Sequence, residues 1–383
     1  MYDRLHNVRA HIVASAASLP ERYYPQRHLA ETVAEFITAN KLRFPVDLIH
    51  QLFENVRITG RHFEFPVEGF CASPPPIANS AAVAIDACVR HSEINVRRIL
   101  SETGLRARDI SMLASVTLTP AVPSIDARLM NRIAFRSDIR RLPLAGLGCM
   151  AGVAGITRVA DYLDGRPDEA ALLISCELSS GLWQGSVQND LRQMIGRLDQ
   201  EPHLHGDIVM AIVTAALFGD GSGALLMVGR DHPLARNSTV RIVDSRSNWV
   251  PDTEHIMGLD YVDAGMRNIL RPEVKTFVAE ALGDVILPML AAHQLEASAI
   301  GHWTLHPGGP RIMDAAEEAF DLSATMMRPS REALIDVGNI SSATVLYMLD
   351  RILRGERPPA ETTGLVVAMG PGFSQEAALV VWS

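Results

Sequence analysis

The sequence predicts an α/β fold with an internal duplication. Short apolar or β-branched runs alternate with longer segments whose apolar residues recur at helical spacing, which is the pattern of α/β proteins. Two glycine turns, at 217–223 and 369–373, each lead into an apolar run. We therefore expect two related halves, residues 1–229 and 230–383, with their boundary in the Gly-, Pro- and charge-rich segment 229–238.

In the first half, the apolar runs predict five strands. The prolines at 120 and 123 stop the second of these runs, and the fourth is continuously apolar, as a buried strand requires. A helical stripe follows Cys149, and Gly165 closes it. The predicted strands are 8–19, 112–118, 142–147, 170–176 and 222–228, and the predicted helices are 29–40, 80–91, 94–103 and 149–164.

The second half repeats this alternation. Its last two predicted strands are separated by the second glycine turn, so that the pair resembles a closing hairpin. The predicted strands are 239–244, 304–306, 364–369 and 377–382, and the predicted helices are 275–292, 312–320 and 341–353.

Composition excludes several classes of protein. The chain has 44 acidic and 35 basic residues and a net charge of −9. Nucleic acids and membrane surfaces bind basic faces, so neither is an expected partner. The longest uncharged stretch, 142–157, is too short and too glycine-rich for a membrane helix, and the run 12–17 is interpreted as a strand and not as a signal peptide. We expect a cytoplasmic protein.

The four cysteines, at 71, 88, 149 and 176, form neither a disulfide framework nor a zinc-ligand pattern, so no metal is expected. Cys149 differs from the others because it follows an apolar strand and begins a predicted helix between glycines. The amide groups and dipole of a helix N-terminus favour a thiolate. A buried structural cysteine explains this segment equally well, and we assign that role to the other three.

The same segment also matches a dinucleotide-binding fingerprint. Gly146, Gly148 and Ala151 have the required spacing, and Glu177 follows the next strand, where an acid could bind a ribose. The acid lies 31 residues beyond Gly146, whereas about 20 is expected. A nicotinamide-dependent oxidoreductase is therefore a remote alternative.

Two further polar residues occur where site residues often lie. His306 follows an apolar strand and precedes a Pro-Gly-Gly turn, although a lone histidine is more often a hydrogen-bonded filler. Asn339 follows Gly338 before a predicted helix, where an asparagine also serves as an ordinary helix cap. Since Cys149 and Asn339 each open a helix after a glycine, one in each half, we hypothesise that the two helix N-termini converge on one site.

Five motifs together resemble the type III polyketide synthases, the chalcone synthase-like family in its bacterial form. They occur in the family's order between positions 147 and 373. The resemblance implies a thiolase-like fold of five layers (αβαβα), a homodimer, and a catalytic triad of Cys149, His306 and Asn339. The motifs are 147–152, 216–221, 306–310, 338–343 and 370–373.

The resemblance also implies a reaction. Cys149 would take an acyl group from an acyl-CoA starter, and His306 and Asn339 would stabilise the enolate formed when malonyl-CoA loses CO₂. Repeated Claisen condensation and cyclisation would release a pyrone or phenolic product. CoA thioesters are the substrates, and no cofactor is expected.

Further residues carry expected roles in substrate binding. Phe218 matches an aromatic gatekeeper of the family, although a core phenylalanine before a glycine turn would look the same. Asn268 falls where plant members have a second aromatic gatekeeper. Leu182 and Leu259 fall at cavity positions where the chalcone-forming members have smaller side chains. We therefore expect an aliphatic or small starter and an alkylpyrone, alkylresorcinol or phloroglucinol-type product. The remaining expected substrate contacts are Thr117, Gly308, Ser341 and Pro371, with Arg57 and Arg61 as the basic residues for CoA.

Three other readings of the same residues remain. A ketoacyl-ACP synthase III shares the fold and the triad, but its histidine motif and its basic partner-docking face are absent here. A papain-like protease would share the residue order, although Cys149 lacks the surroundings of a papain cysteine. A thiolase-fold binding protein without catalysis is the alternative from a different class.

Overall fold

A computed structural model of the chain describes residues 7–68, 77–119, 121–262, 265–271 and 273–383. Side chains are described at these positions except 77–79, 182–187, 261, 265, 266, 275 and 276. Cys71, which we predicted to be structural, therefore lies outside the described residues. The side chain of Leu182 does as well.

Thirteen strands and eleven α-helices make up the described part of the chain. They alternate along the sequence as the apolar runs predicted. The strands are β1 (Ala10–Ser18), β2 (Arg22–Pro25), β3 (Gly60–Phe63), β4 (Ile110–Val116), β5 (Arg140–Leu144), β6 (Ala170–Leu178), β7 (Asp220–Val228), β8 (Val240–Trp249), β9 (Met257–Val262), β10 (Gly265–Leu270), β11 (His302–Leu305), β12 (Thr363–Gly370) and β13 (Ser374–Trp382). The helices are α1 (Gln26–Ala39), α2 (Val46–Asn55), α3 (Ile77–Thr103), α4 (Ile125–Leu129), α5 (Ala151–Asp164), α6 (Ser179–Arg197), α7 (Leu204–Leu217), α8 (Val274–Ala292), α9 (Pro310–Phe320), α10 (Ala324–Val337) and α11 (Ala343–Arg354).

Nine strands form one continuous sheet in the order β11-β12-β13-β8-β1-β7-β6-β4-β5. The strands β4-β6-β7-β1 repeat as β11-β12-β13-β8, with the same sequence of one parallel and two antiparallel pairings. The two sets meet at β1 and β8, which pair antiparallel over only three residues. This arrangement is the internal pseudo-twofold that the two glycine turns predicted.

The core has five layers because the sheet is covered on both sides and also encloses two helices. One core cluster joins α5 and α11 to the inner faces of both halves of the sheet. A second packs α3 against the outer face of the first half. A third packs α8 against the outer face of the second half and also includes α1, α2 and α7, which pack on one another. Alternate residues of the strands enter the inner and outer clusters, as the pleat requires. The fold class is therefore the αβαβα arrangement that the resemblance implied.

The structure corrects three of the predicted helices. The predicted helices 80–91 and 94–103 are a single helix, α3, because Ser92 and Glu93 include no helix breaker and Ser92 is buried. The helix predicted at 341–353 begins two residues later, at Ala343, since Ser341 has a φ of 50°. The boundary between the halves at residues 229 and 230 stays a prediction. Among the described helices, none is long and apolar enough to cross a membrane.

Candidate active site

A cavity of about 810 Å³ lies where the two halves of the molecule meet. Cys149, His306 and Asn339 all line it, although they come from three distant parts of the chain. The cavity is large enough for a small organic ligand. The hypothesis that the helix N-termini at Cys149 and Asn339 converge therefore describes the observed geometry.

Cys149 lies in a short 3-10 turn, Gly148–Met150, that leads directly into α5. Gly148 has a φ of +52°, and a Cβ there would lie 2.6 Å from Pro371 Cδ, so only glycine fits. The Cys149 Sγ lies 3.8 Å from Ser341 Oγ, and the side chain of Asn339 also interacts with the thiol. Burial raises the pKa of the Cys149 thiol to about 11. The isolated thiol is therefore neutral near neutral pH.

Asn339 is held between the two halves by backbone hydrogen bonds. Its N–H donates to Leu217 O at 2.9 Å, and Gly219 N–H donates to Asn339 O at 3.0 Å. The Asn339 Oδ1 accepts the N–H of Ser341 at 2.8 Å, which stabilises the positive φ of Ser341. The side-chain amide is 1% exposed, so its N–H groups can reach only the cavity or the protein interior.

His306 follows β11 and enters the cavity from the second half. Its backbone is fixed by hydrogen bonds from His306 N to Val367 O, at 2.8 Å, and from Gly308 N to His306 O, at 2.9 Å. The ring is 2% exposed, and neither ring nitrogen has a hydrogen-bond partner in the described part of the chain. Burial lowers the pKa of His306 to about 4. The structure thus holds a neutral imidazole in the wall of the cavity, and no described residue occupies its ring nitrogens.

Glu177 is a site residue that our sequence reasoning did not assign to this site. It ends β6, is buried, and lines the cavity. Its carboxylate accepts the N–H of Leu118 at 2.8 Å and the hydroxyl of Ser342, so it is not free to bind a ribose. Burial raises the pKa of Glu177 to about 7, and its charge raises the pKa of Cys149 further. The position of an acid directly after a buried strand was the signal that could have identified it.

We expect Glu177→Gln to make Cys149 more reactive, but only above about pH 7. Below that pH Glu177 is protonated, so the variant and the unmodified protein should react alike. Above it, the wild-type carboxylate opposes thiolate formation, and its removal should speed alkylation by roughly three- to tenfold, the equivalent of half to one pKa unit. Iodoacetamide modification followed by mass spectrometry from pH 6 to 10 measures this, with Glu31→Gln on α1 as the control. Equal rates at every pH would contradict the assignment.

Most of the expected substrate contacts line the cavity. The hairpin of β9 and β10 supplies one wall, and α7 with the following turn supplies another. Ser341 does not line the cavity but contacts Cys149. Leu182 lies on α6, where its side chain is not described. The expected residues that line the cavity are Thr117, Phe218, Leu259, Asn268, Gly308 and Pro371.

The structure gives Arg61 a different role from the CoA contact that we expected. Its side chain is fully buried and donates hydrogen bonds to Gln26 Oε1, Ala215 O and Phe218 O. No part of the guanidinium is exposed to a CoA phosphate, so Arg61 instead stabilises the backbone around Phe218. Arg57 is exposed, forms an ion pair with Asp314 at 3.8 Å, and does not line the cavity.

The two arginines should therefore differ sharply in their contribution to stability. Arg61→Leu removes the donors of two buried carbonyl groups and should lower the free energy of unfolding by roughly 2–4 kcal/mol. Arg57→Leu removes only a surface ion pair and should change it by less than about 0.5 kcal/mol. Urea unfolding followed by circular dichroism compares them. Equal, small changes would show that the Arg61 hydrogen bonds contribute little.

Known proteins resemble this chain over almost its whole length. Residues 46–192 match the family described as FAE1/Type III polyketide synthase-like protein, and residues 241–383 match the C-terminal domain of chalcone and stilbene synthases. The 1,3,6,8-tetrahydroxynaphthalene synthase of Streptomyces peucetius subsp. caesius is 33% identical over 376 residues, which cover 97% of this chain and 93% of that protein. The phloroglucinol synthase of Pseudomonas fluorescens is 26% identical, covering 96% of this chain and 99% of that protein.

Solved structures agree with this assignment. The 1,3,6,8-tetrahydroxynaphthalene synthase of Streptomyces coelicolor A3(2) superposes with a TM-score of 0.84 and 27% identity, covering 97% of this chain and 99% of that one. A fungal type III polyketide synthase, ORAS, shares the fold with a TM-score of 0.82 and 21% identity, covering 98% of this chain and 100% of that one. With the fold, the ordered motifs and these relatives in view, the chain belongs to the type III polyketide synthases, the chalcone synthase-like family of decarboxylating condensing acyltransferases.

Proposed function

We propose that Cys149 is the nucleophile, that His306 is its base and hydrogen-bond donor, and that Asn339 is the second donor to the reacting thioester. The observation that supports this most directly is that the three side chains line one cavity while their chain positions are far apart. A thiol, an imidazole and a carboxamide are the groups that acyl transfer and enolate stabilisation require.

The burial of Cys149 and His306 determines how the thiol proton moves when the starter is loaded. Burial raises the pKa of Cys149 to about 11 and lowers that of His306 to about 4, so that either charge alone is unfavourable in this cavity. A thiolate and an imidazolium formed together attract each other, which offsets part of that cost. We therefore assign the thiol proton to His306 as Cys149 attacks the starter thioester. His306 returns that proton to the CoA sulfur, so that CoA leaves as a thiol, and the acyl group remains on Cys149.

The second step uses the free nitrogens of the same site. A malonyl thioester placed with its carbonyl oxygen between His306 and Asn339 would lose CO₂, and the electron pair of the broken C–C bond would become an enolate stabilised by two hydrogen bonds. The enolate carbon attacks the acyl group on Cys149, which releases the sulfur and lengthens the chain by two carbons. Phe218 and Asn268, which both line the cavity, are assigned to the gate through which the acyl chain passes.

For the substrates, we propose an acyl-CoA starter with malonyl-CoA as extender, and a phenolic or pyrone product. The names of two relatives, a tetrahydroxynaphthalene synthase and a phloroglucinol synthase, favour the phenolic class of product.

We also propose a homodimer. Val122 is 97% exposed on a loop whose neighbours Ala121 and Ser124 line the cavity, where a second copy would cover it.

The test is to incubate the purified protein with malonyl-CoA and a panel of acyl-CoA starters and to identify products by mass spectrometry. Aromatic or pyrone products containing malonyl-derived carbons are expected. Hydrolysis of the starters without chain extension would reject the proposed reaction. Sedimentation velocity on the same sample measures the oligomeric state.

A further inference from the structure

A charged pair lies in the wall of the same cavity. Asp190, on α6, and Arg267, on β10, both line it. The Arg267 Nε lies 2.7 Å from Asp190 Oδ2, and Nη2 lies 2.5 Å from Oδ1, so the contact is bidentate. The Asp190 side chain is 5% exposed and that of Arg267 is 32% exposed. The pair joins the hairpin to α6 across one side of the cavity.

This pair leaves part of the guanidinium available. Asp190 occupies Nε and Nη2, and Nη1 of Arg267 has no acceptor within the described residues. Next to it on β10, the Asn268 Nδ2 donates to Thr214 Oγ1 at 3.1 Å. We call these four side chains, Asp190, Thr214, Arg267 and Asn268, the polar wall. All four line the cavity.

The polar wall is set among apolar cavity residues. Met257, Ile269 and Leu270 of the hairpin and Ala211 of α7 line the same space. A hydrocarbon chain lying there would cover Nη1 without giving it an acceptor, and burying a polar group in this way costs free energy. An oxygen atom at that position would instead accept a hydrogen bond from a charged donor, which is among the stronger kinds.

The charges around Arg267 decide which kind of oxygen fits. Asp190 neutralises the guanidinium, Arg271 pairs with the nearby Asp207, and Asp260, which lines the cavity, adds one further negative charge. A ligand carboxylate would therefore meet a net negative environment, whereas a carbonyl or enol oxygen would not.

We propose that the polar wall is a subsite for neutral carbonyl or enol oxygens of the acyl chain, and that it selects oxygen-bearing chains over hydrocarbon chains. This inference rests on the proposed function, since the chain concerned is the one carried by Cys149. It narrows the expected substrates away from aliphatic starters and toward chains that carry oxygen at the end remote from the thioester.

Three starters separate the possibilities: hexanoyl-CoA, 5-oxohexanoyl-CoA and glutaryl-CoA. The first two differ only by one carbonyl, and the third ends in a carboxylate. We expect kcat/KM for 5-oxohexanoyl-CoA to exceed that for each of the others by about tenfold or more, the effect of one hydrogen bond to a charged donor. A preference for glutaryl-CoA would show that the wall binds anions and would overturn the proposal.

The variant that tests the residues is Asp190→Leu with Arg267→Met, because changing one partner alone would leave a buried charge unpaired. The preference for 5-oxohexanoyl-CoA over hexanoyl-CoA should fall to within about threefold of unity, since the donor is gone. The matched control is Glu317→Leu with Arg331→Met, a bidentate ion pair between α9 and α10 that does not line the cavity. That control should keep the preference.

Failure of this inference is distinguishable from failure of the proposed function. Intact-mass measurement of acylated Cys149 with hexanoyl-CoA reports whether the site loads a starter at all. If loading occurs in both proteins but the preference is absent from the wild type or persists in the double variant, the polar wall is not the subsite. If the double variant changes KM equally for both starters, Asp190 and Arg267 act on the CoA part of the substrate, which would also overturn the proposal.

Arg267→Lys keeps a positive charge for Asp190 but has only one side-chain nitrogen, so this variant should lose the preference as well. It replaces the double variant if the double variant does not fold.

Discussion

Cys149→Ala is expected to abolish product formation and covalent loading of the starter. The variant has no sulfur to attack the thioester, so no acyl group can be held for extension. Removal of a nucleophile from a catalytic unit lowers turnover by at least about a thousandfold, and no other described cysteine lines the cavity. Product analysis by mass spectrometry and intact-mass detection of the acylated protein measure both effects.

The control for this experiment is Cys88→Ala. Cys88 is buried in α3, outside the cavity, and its thiol contacts the backbone oxygen of Cys176. This variant should keep starter loading even if its stability falls. Full turnover by Cys149→Ala, or loss of loading in a folded Cys88→Ala protein, would place the nucleophile elsewhere.

Asn339→Asp is expected to suppress malonyl-CoA decarboxylation while preserving the fold of the site. An aspartate keeps the oxygen that accepts the Ser341 N–H, so the turn before α11 remains supported. It lacks the amide N–H groups and adds a negative charge where an enolate would form. The loss of one such donor costs about a hundred- to a thousandfold in rate, and the added charge acts in the same direction.

Release of labelled CO₂ from malonyl-CoA, in the absence of a starter, measures this step separately from condensation. Asn248→Asp is the control, because Asn248 lies on β8 and bonds to Gln375 outside the cavity. His306→Gln should reduce the same rate. A wild-type rate of CO₂ release from Asn339→Asp, at an unchanged melting temperature, would remove Asn339 from the proposed mechanism.

The α/β alternation and the candidate positions of Cys149, His306 and Asn339 could be predicted because their signals are local, whereas the five-layer fold and the triad were implied by the resemblance to the family. Apolar runs predicted β4, β6, β7, β12 and β13, and glycines indicated the turns that carry Cys149 and Asn339 just before α5 and α11. These features require only the spacing of residues near each other in the chain.

Other parts of the site could not be predicted, because they depend on contacts between distant segments. Arg61 resembles any surface arginine in the sequence, and only its hydrogen bonds to the distant carbonyl groups of Ala215 and Phe218 show that it is a buried donor. The bidentate contact of Asp190 with Arg267 joins residues 77 positions apart. The proximity of Glu177 to Cys149 likewise exists only once β6 and α5 are assembled.

The backbone pairing of Phe218 with Asn339 couples the proposed gate residue to one of the proposed catalytic residues. The backbone of Asn339 is hydrogen-bonded to Leu217 O and to Gly219 N, the residues on either side of Phe218. A shift of the backbone at Phe218 would therefore also shift Asn339. A smaller side chain at position 218 would therefore widen the cavity there without moving this backbone. A displacement of the main chain at Phe218 would move the proposed hydrogen-bond donor Asn339 together with the proposed gate residue.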